Sequence, residues 1–269
     1  MKPFKDLIIF RGGGDVATGS IQKLHRVGYS ILVLETPWPN TVRKTVALSE
    51  CIFKNKVTVE DMTALHCKDL NEIHNAFKQN YIPVIIDPQG EWIWKLKPLA
   101  VIDAIIAKKN LGTSRKMAPI TIGLGPGFIA GKDVDIVIET NRGHHLGRLI
   151  FRGQAEANTH IPGNINGFSK ERLLRSPDFG IFHTTKNIGD LVKKGEIIGT
   201  VSNQNIISQI DGCLRGLIEN QSYVTKNMKI GDVDPRVDVD YHLISDKARN
   251  IGGATLEAFL ILKNRKKIG

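Results

Sequence analysis

The sequence has few of the residues that mark metal-binding, secreted or membrane-spanning proteins. Its 269 residues include three cysteines, Cys51, Cys67 and Cys213, which are far apart and odd in number. Their spacing contains no C-x-x-C metal motif and favours a reducing compartment. No apolar run approaches the roughly 20 residues that cross a bilayer. The apolar part of residues 1–10 is too short for a signal peptide, so we expect a soluble, cytoplasmic protein.

Aromatic residues are also scarce, whereas glycine and positive charge are abundant. Aromatic side chains make up 6% of the chain, and no aromatic-and-basic ribbon of an RNA-binding sheet is present. We therefore expect neither a nucleic acid nor a membrane as a partner. The formal charge of +10 favours phosphates or acidic partners. The 26 glycines and the 41% hydrophobic content suit an α/β or β-rich fold with a sizeable core.

The stretch 7–35 predicts a strand, a glycine turn, a helix and a second strand. The apolar run 7–10 leads into the turn, and Asp15 opens a pattern of three-to-four spacing. Gly28 stands where a C-terminal glycine ends a helix, and the apolar run 31–34 follows it. This order is typical of a Rossmann-like βαβ unit.

The turn itself fits the spacing of a nucleotide-binding loop, which makes Gly12, Gly13, Gly14 and Asp15 candidate cofactor-binding residues. Glycine there permits unusual backbone angles and a close approach of a pyrophosphate, and a helix N-terminus favours an anion. Glu35 lies 21 residues after Gly14, where an acid can bond a ribose hydroxyl of NAD. The alternative is a tight turn in a scaffold that binds no nucleotide.

Two further strand ends carry candidate ligand-binding residues. The apolar run 119–122 is followed by Gly123, Gly125 and Gly127, which we also assign to cofactor binding. The run 136–138 leads into a polar loop. Because ligands of open α/β sheets bind beyond the carboxyl ends of the strands, we expect these loops to share an edge with the first glycine turn.

The polar loop after residues 136–138 supplies the candidate catalytic residues. Arg142 can donate charge-assisted hydrogen bonds to a phosphate or carboxylate, and His144 can act as a general acid or base near neutral pH. The alternative is that Arg142 pairs with Glu139 and that His144 caps a turn. His144 and His145 are adjacent, so on a strand they would point to opposite faces, and no metal site is predicted.

Later patterns predict a helix, a β-rich region and a last helix. A proline near its first turn indicates a helix over 98–110, with Asp103 on its surface. From residue 180 short apolar strands alternate with turns, which resembles a lipoyl- or biotinyl-like barrel sandwich. The hairpin tip 202–205 contains no lysine, so a swinging-arm carrier is not expected. Ser245 predicts the N-terminal cap of the last helix.

These patterns predict an α/β fold class with two domains. Residues 1–150 are predicted to form an N-terminal Rossmann-like parallel sheet domain that binds a nucleotide. Residues 151–269 are predicted to form a C-terminal β-rich, lipoyl/biotinyl-like barrel-sandwich domain followed by a helix.

Motifs spread over nearly the whole chain resemble one known family. They include RGGGDVATG, VIIDPQGE, IGLGPGFIAG, ETNRGHHLGR and IPGNINGF. The chain is similar to accessory proteins of the selenium-dependent molybdenum hydroxylase system, which act in the maturation of xanthine-dehydrogenase-like enzymes. The resemblance implies a role in handling selenium or the molybdenum cofactor, with the hydroxylase as partner. It assigns no catalytic residue.

Three functions are therefore open at this point. The first is a maturation factor that binds NAD or a related nucleotide at residues 12–14, with the molybdenum cofactor as a second candidate ligand. The second is a stand-alone NAD-dependent oxidoreductase, because an acid at Glu35 suits an unphosphorylated ribose. The third is a non-catalytic interaction scaffold with an empty glycine turn. Assembly into a homo-oligomer is compatible with each of them.

Overall fold

A computed structural model describes residues 6–158 and 163–267, and the chain divides into two compact units. The first unit contains the chain up to Pro39, the segment Ala47–Asn158 and the chain from Ile244 onwards. The second contains the segment Asn40–Val46 and the later chain up to Leu243. The predicted boundary lies between residues 150 and 151, whereas here residues 151–158 and the last helix belong to the first unit and Asn40–Val46 belongs to the second.

One nine-stranded sheet forms the centre of the first unit. In chain order its strands are β1 (Leu7–Arg11), β2 (Ser30–Glu35), β3 (Lys56–Val59), β4 (Met62–Cys67), β5 (Ile82–Ile86), β6 (Ala100–Asp103), β7 (Ile120–Leu124), β8 (Ile136–Ile138) and β9 (Leu149–Ile150). Their spatial order is β3-β4-β5-β2-β1-β6-β7-β8-β9. The strands from β4 to β8 in this order are parallel, whereas β3 and β9 run antiparallel to their neighbours.

The sheet is therefore mixed, and the predicted fold class, a Rossmann-like parallel sheet domain, is wrong. A β3–β4 hairpin extends one edge of the sheet, and β9 folds back on β8 at the other. The local order at residues 7–35 is strand, turn, helix and strand, with β1 and β2 paired in parallel. Every residue of β1 is buried, which is typical of a parallel strand covered on both faces.

Five α-helices lie in the described part of the first unit. They are α1 (Asp15–Arg26), α2 (Cys51–Lys54), α3 (Leu70–Lys78), α4 (Glu91–Leu96) and α5 (Asp246–Arg265). None of the helices within the described residues is both long and apolar enough to cross a membrane.

Helix α5 packs closely on α1 through small residues. Its N-terminal cap is Ser245, whose hydroxyl accepts a hydrogen bond from the Ala248 N–H at 3.2 Å. A Cβ placed on Gly19 of α1 would lie 2.3 Å from the Ala248 carbonyl oxygen, and one on Gly252 would lie 2.3 Å from the Gly19 carbonyl oxygen. The helix backbones touch at these glycines, which explains why the last helix belongs to the first unit.

Residues 100–103 form strand β6 instead of part of the predicted helix 98–110. The strand pairs in parallel with β1 and β7, and all four of its residues are buried. Asp103 is 2% exposed, so its predicted surface position is also wrong. A short apolar run that is buried on both faces has the same pattern as a turn of buried helix, and periodicity alone does not separate the two.

The second unit consists of two four-stranded antiparallel sheets. Their strands are β10 (Leu173–Arg175), β11 (Gly180–His183), β12 (Leu191–Val192), β13 (Ile197–Val201), β14 (Gln204–Ile207), β15 (Gly212–Leu217), β16 (Tyr223–Val224) and β17 (Lys229–Asp234). The sheet orders are β10-β17-β15-β12 and β14-β13-β11-β16. The predicted lipoyl/biotinyl-like barrel sandwich is therefore a wrong fold assignment, because short apolar strands between glycine turns are common to many antiparallel sheets.

Candidate functional site at the carboxyl ends of the strands

The glycine turn after β1 is packed against, and hydrogen-bonded to, other residues of the same chain. Gly12 has a φ of +92°, and a Cβ there would lie 3.0 Å from the Cα of Ile105. The Gly13 N–H donates to Glu35 Oε1 at 2.6 Å, and the Gly13 carbonyl accepts from the Ser49 N–H at 3.0 Å. The turn needs glycine because neighbouring backbone lies against it.

Glu35 faces this turn and is buried. Its second carboxylate oxygen accepts from the Thr36 N–H at 2.9 Å. Burial raises the pKa of Glu35, while the hydrogen bonds from Gly13 and Thr36 act in the opposite direction. Gly14 precedes α1, and Asp15 is the first residue of that helix. The structure thus brings the predicted turn residues and Glu35 together, but the Glu35 carboxylate bonds the turn where a ribose was expected.

The second glycine loop, after β7, is also closely packed. A Cβ on Gly123 would lie 2.6 Å from an aromatic ring, and one on Gly125 would lie 2.6 Å from Thr140 Oγ1. A Cβ on Gly127 would lie 2.6 Å from the Cα of Lys109. Gly125 and Gly127 have φ values of +80° and +112°, which glycine adopts without strain. Close packing accounts for these three glycines without a ligand.

A buried polar cluster between β1 and β6 was not anticipated from the sequence. Arg11 Nη1 donates to the Thr113 hydroxyl at 2.5 Å, and that hydroxyl donates to Asp103 Oδ2 at 2.5 Å. Burial raises the pKa of Asp103, against the lowering effect of Thr113 and of the Arg11 charge. The cluster holds the segment after β6 against the sheet. Its three polar side chains are hydrogen-bonded to one another.

The end of β8 is organised by Glu139, which is 2% exposed. Its Oε1 accepts hydrogen bonds from the N–H groups of Thr140 and Asn141, both at 2.7 Å. Its Oε2 accepts from the Glu156 N–H at 2.7 Å. One buried carboxylate therefore binds both the start of the loop and Glu156. It holds these two segments, which are distant in sequence, next to each other.

A histidine–carboxylate pair, His145 with Glu156, lies next to Glu139. Glu156 Oε1 lies 2.7 Å from His145 Nδ1, and Glu156 Oε2 accepts from Asn141 Nδ2 at 2.7 Å. The Asn141 hydrogen bond, and then that with His145, lowers the pKa of Glu156. Glu156 is therefore ionised at neutral pH and accepts the Nδ1 proton, which leaves His145 Nε2 for another partner.

A cavity of about 390 Å³ opens beside this pair. Its lining includes Glu139, His145, Arg148, Phe151, Arg152 and Glu156. Within the described chain, the guanidinium groups of Arg148 and Arg152 make no hydrogen bond or ion pair. The carboxylates of the cavity are already bonded, so these two cations are available to an anionic ligand.

The predicted catalytic residues lie outside this cavity. Arg142 does not pair with Glu139, because its two Nη atoms donate to the Asp246 carboxylate, each at 2.9 Å. His144 is exposed and does not line the cavity. The role assigned to Arg142 and His144 stays a prediction, whereas the geometry favours His145. The sequence offered no periodic signal for the partnership of His145 with Glu156.

The three cysteines are buried free thiols. Burial raises the pKa of each, to about 11 for Cys67. A raised thiol pKa disfavours the nucleophilic thiolate at each of the three cysteines. Among the described residues, no group of three or more histidine, cysteine or acidic side chains is placed to hold a metal ion. The predicted ligands, NAD and the molybdenum cofactor, stay predictions.

Sequence comparison finds one curated relative at high identity. No protein-family model matches the chain. The chain is 44% identical over 260 residues to a protein of Escherichia coli (strain K12) that carries the name Uncharacterized protein YqeB. The match covers 96% of this chain and 48% of that protein, so the chain spans about half the length of its curated relative.

Structural comparison finds distant likenesses to several solved structures. An aspartoacylase family protein from Mesorhizobium loti is 14% identical, with 84% of each chain covered and a TM-score of 0.28. The apo ectoine utilization protein EutE from Ruegeria pomeroyi is 10% identical, covering 84% of this chain and 85% of that one, with a TM-score of 0.25. A succinylglutamate desuccinylase from Silicibacter is 10% identical, covering 85% and 84%, with a TM-score of 0.24.

These comparisons correct the functions expected from the sequence. None of the reported names contains selenium, molybdenum or a nicotinamide cofactor. The maturation role and the NAD-dependent oxidoreductase role are therefore wrong on these findings and are dropped. The superpositions score too low to bring the activities of those proteins to this chain.

Proposed function

We propose that the protein is an acid–base enzyme that acts on a small anionic molecule in the cavity beside β8. The observation that carries this proposal is the 2.7 Å pair between His145 Nδ1 and Glu156 Oε1 at that cavity. A carboxylate on one ring nitrogen fixes the tautomer, so the other nitrogen becomes the proton-transfer atom.

Charge supports an anionic substrate. Arg148 and Arg152 line the cavity, and their guanidinium groups have no partner in the described residues. Guanidinium groups bind carboxylates and phosphates through charge-assisted, often bidentate hydrogen bonds. The buried Glu139 does not neutralise them, because its two oxygens already accept three N–H groups.

Proton transfer at His145 follows from this arrangement. His145 Nε2 takes a proton from the bound substrate, and the ring becomes an imidazolium. Glu156 then faces a positive charge, and its ionised carboxylate stabilises that charge at 2.7 Å. The same proton returns to the product from Nε2, so that His145 acts first as base and then as acid.

An NMR titration of the histidine side chains tests this role. Malonate serves as the probe, at constant ionic strength, and His144→Gln and His145→Gln identify the two neighbouring signals. We expect the His145 ring signals to shift and saturate and those of His144 to stay. We also expect Arg148→Gln to weaken binding about tenfold, which corresponds to about 1.4 kcal/mol. Equal shifts for both histidines, or unchanged binding in Arg148→Gln, would contradict the proposed site.

A further inference from the structure

Strand β14 is the edge of one antiparallel sheet of the second unit, and among the described strands it pairs with β13 alone. The hairpin that joins β13 to β14 has a two-residue turn, because Val201 pairs with Gln204 across it. The turn residues Ser202 and Asn203 have φ values of +49° and +63°. Such turns close on a hydrogen-bonded pair, and bonded and non-bonded pairs then alternate along the two strands. This alternation shows which backbone groups of β14 face away from β13.

The outward backbone groups of β14 belong to Asn205 and Ile207. Asn205 lies opposite Thr200 in the non-bonded pair that follows the closing pair of the hairpin. The alternation continues to the end of the strand, because the Ser208 N–H donates to the Glu196 carbonyl at 2.9 Å. Both outward residues therefore direct an N–H and a C=O to the open side of the sheet, where no group of the described chain bonds them.

Strand β14 lacks the features that usually protect a sheet edge. Its sequence, QNII, contains no proline and no charge. The bulge of this hairpin lies on β13, at Ile197–Gly199, and not on β14. The side chains of Asn205 and Ile207 are exposed, Ile207 to 49%. Because an unprotected edge strand pairs readily with another extended chain, this edge is suited to strand addition.

A cavity of about 680 Å³ lies along this edge and has a positive lining. It is lined by Asn205 and Ile207 of β14 and by two cations, Lys170 and Arg175, and none of the residues that line it is acidic. The Lys170 ammonium makes no hydrogen bond or ion pair with the described chain. The Arg175 guanidinium donates through Nη1 to the Asn227 carbonyl at 2.9 Å, and its other N–H groups have no partner there. The charge of the cavity therefore suits an acidic ligand.

We propose that the open edge of β14 binds an extended acidic segment of a partner protein, which joins the sheet as a further strand. The outward N–H and C=O groups of Asn205 and Ile207 pair with the backbone of the segment. Lys170 and Arg175 bind its carboxylates through charge-assisted hydrogen bonds. A second copy of this chain fits less well, because its formal charge of +10 repels the same charge on its neighbour. The surface belongs to the second unit and does not depend on the proposed acid–base site.

Calorimetry on the full chain tests the proposal with the peptide acetyl-Glu-Val-Glu-Val-Glu-amide at constant ionic strength. One control peptide has every Glu replaced by Lys, and the other is N-methylated at every residue. The methyl groups remove the N–H donors and keep the charges, so they separate strand pairing from charge attraction. We expect saturable binding of the acidic peptide and binding at least about tenfold weaker for each control. No saturable heat, or equally tight binding of either control, would overturn the proposal.

Amide hydrogen exchange locates the bound peptide. The acidic peptide should slow exchange of the Asn205 and Ile207 amides by about tenfold or more, because both become hydrogen-bonded. The amide of Tyr223 in β16, at the opposite edge of the same sheet, should keep its rate. Unchanged rates at Asn205 and Ile207, or equal slowing at Tyr223, would contradict pairing at β14. Slowing that grows with protein concentration and needs no peptide would assign the edge to a second copy and overturn the acidic partner.

Two substitutions test the edge and its charge separately. Ile207→Pro removes an outward N–H at an edge position, where proline is tolerated, and should abolish peptide binding. Lys170→Gln should weaken binding about three- to tenfold, whereas Lys193→Gln, which removes a charge outside the cavity, should stay within about twofold. Native affinity in Ile207→Pro, or equal losses in the two lysine variants, would refute the proposal. If circular dichroism shows that Ile207→Pro is unfolded, the lysine pair and the N-methylated peptide decide.

Discussion

The glycine turn after β1 and the loop after β8 lie at the same edge of one sheet, but they use their polar groups in opposite ways. In the turn, the Gly13 N–H and the Glu35 carboxylate bond each other. In the loop, Glu139 fixes the backbone, while Arg148 remains without a partner among the described residues. The clustered glycines of the turn therefore indicate close packing. The candidate ligand-binding group, Arg148, lies instead in the loop whose backbone is held by the buried Glu139 carboxylate.

The largest effect on stability is expected where a closely packed glycine of the loop after β7 becomes alanine. Gly127→Ala places a Cβ 2.6 Å from the Lys109 backbone at a φ of +112°. Backbone strain and overpacking together should lower the free energy of unfolding by about 3–5 kcal/mol. Gly131→Ala is the matched control, because its φ is +87° and no described atom lies within 4 Å of its Cβ position. Urea unfolding measures both, and similar losses would show that packing is not the reason for glycine at 127.

The next largest effect concerns Glu139, whose carboxylate holds the loop after β8 in place. Glu139→Ala removes the acceptor of three buried or half-buried N–H groups and should cost about 2–4 kcal/mol. Glu156→Ala removes an exposed, solvent-screened carboxylate and should lower the free energy of unfolding far less. Chemical unfolding of the two variants checks the difference. Equal losses would mean that Glu139 does not organise the loop.

The smallest effect is a pH dependence at Glu35. Burial raises its pKa, so its contribution to stability is complete below the unfolded value of about 4.3 and is lost as pH rises through the folded value. Glu35→Gln does not ionise. The free energy of unfolding of Glu35→Gln, minus that of the native chain, should therefore increase as the pH rises from about 4. Urea unfolding across this range measures it, and a pH-independent difference would contradict the raised pKa.

Local features of the fold could be read from the sequence because they depend on local rules. Ser245 caps α5, and Glu35 lies at the turn after β1, as their positions in the pattern indicated. Caps, turns and buried runs depend on a few neighbouring residues, which explains their success.

Features that depend on long-range pairing could not be read in this way. The edge strands that make the sheet mixed, and the strand identity of residues 100–103, are decided by neighbours distant in sequence. The same holds for the site, because the sequence favoured His144 whereas the pair in the cavity is His145 with Glu156. Nothing in the spacing distinguishes one of two adjacent histidines until the loop is closed by Glu139.

The central claim is that the sheet edge binds a small anion at the loop after β8 and not at the glycine turn after β1. A map of backbone amide chemical shifts during a malonate titration tests it most directly. We predict saturable shifts for the amides of Gly147, Arg148 and Gln154, with no shift for Gly12 or Gly13. Shifts confined to Gly12 and Gly13, or spread evenly over the chain, would contradict this account.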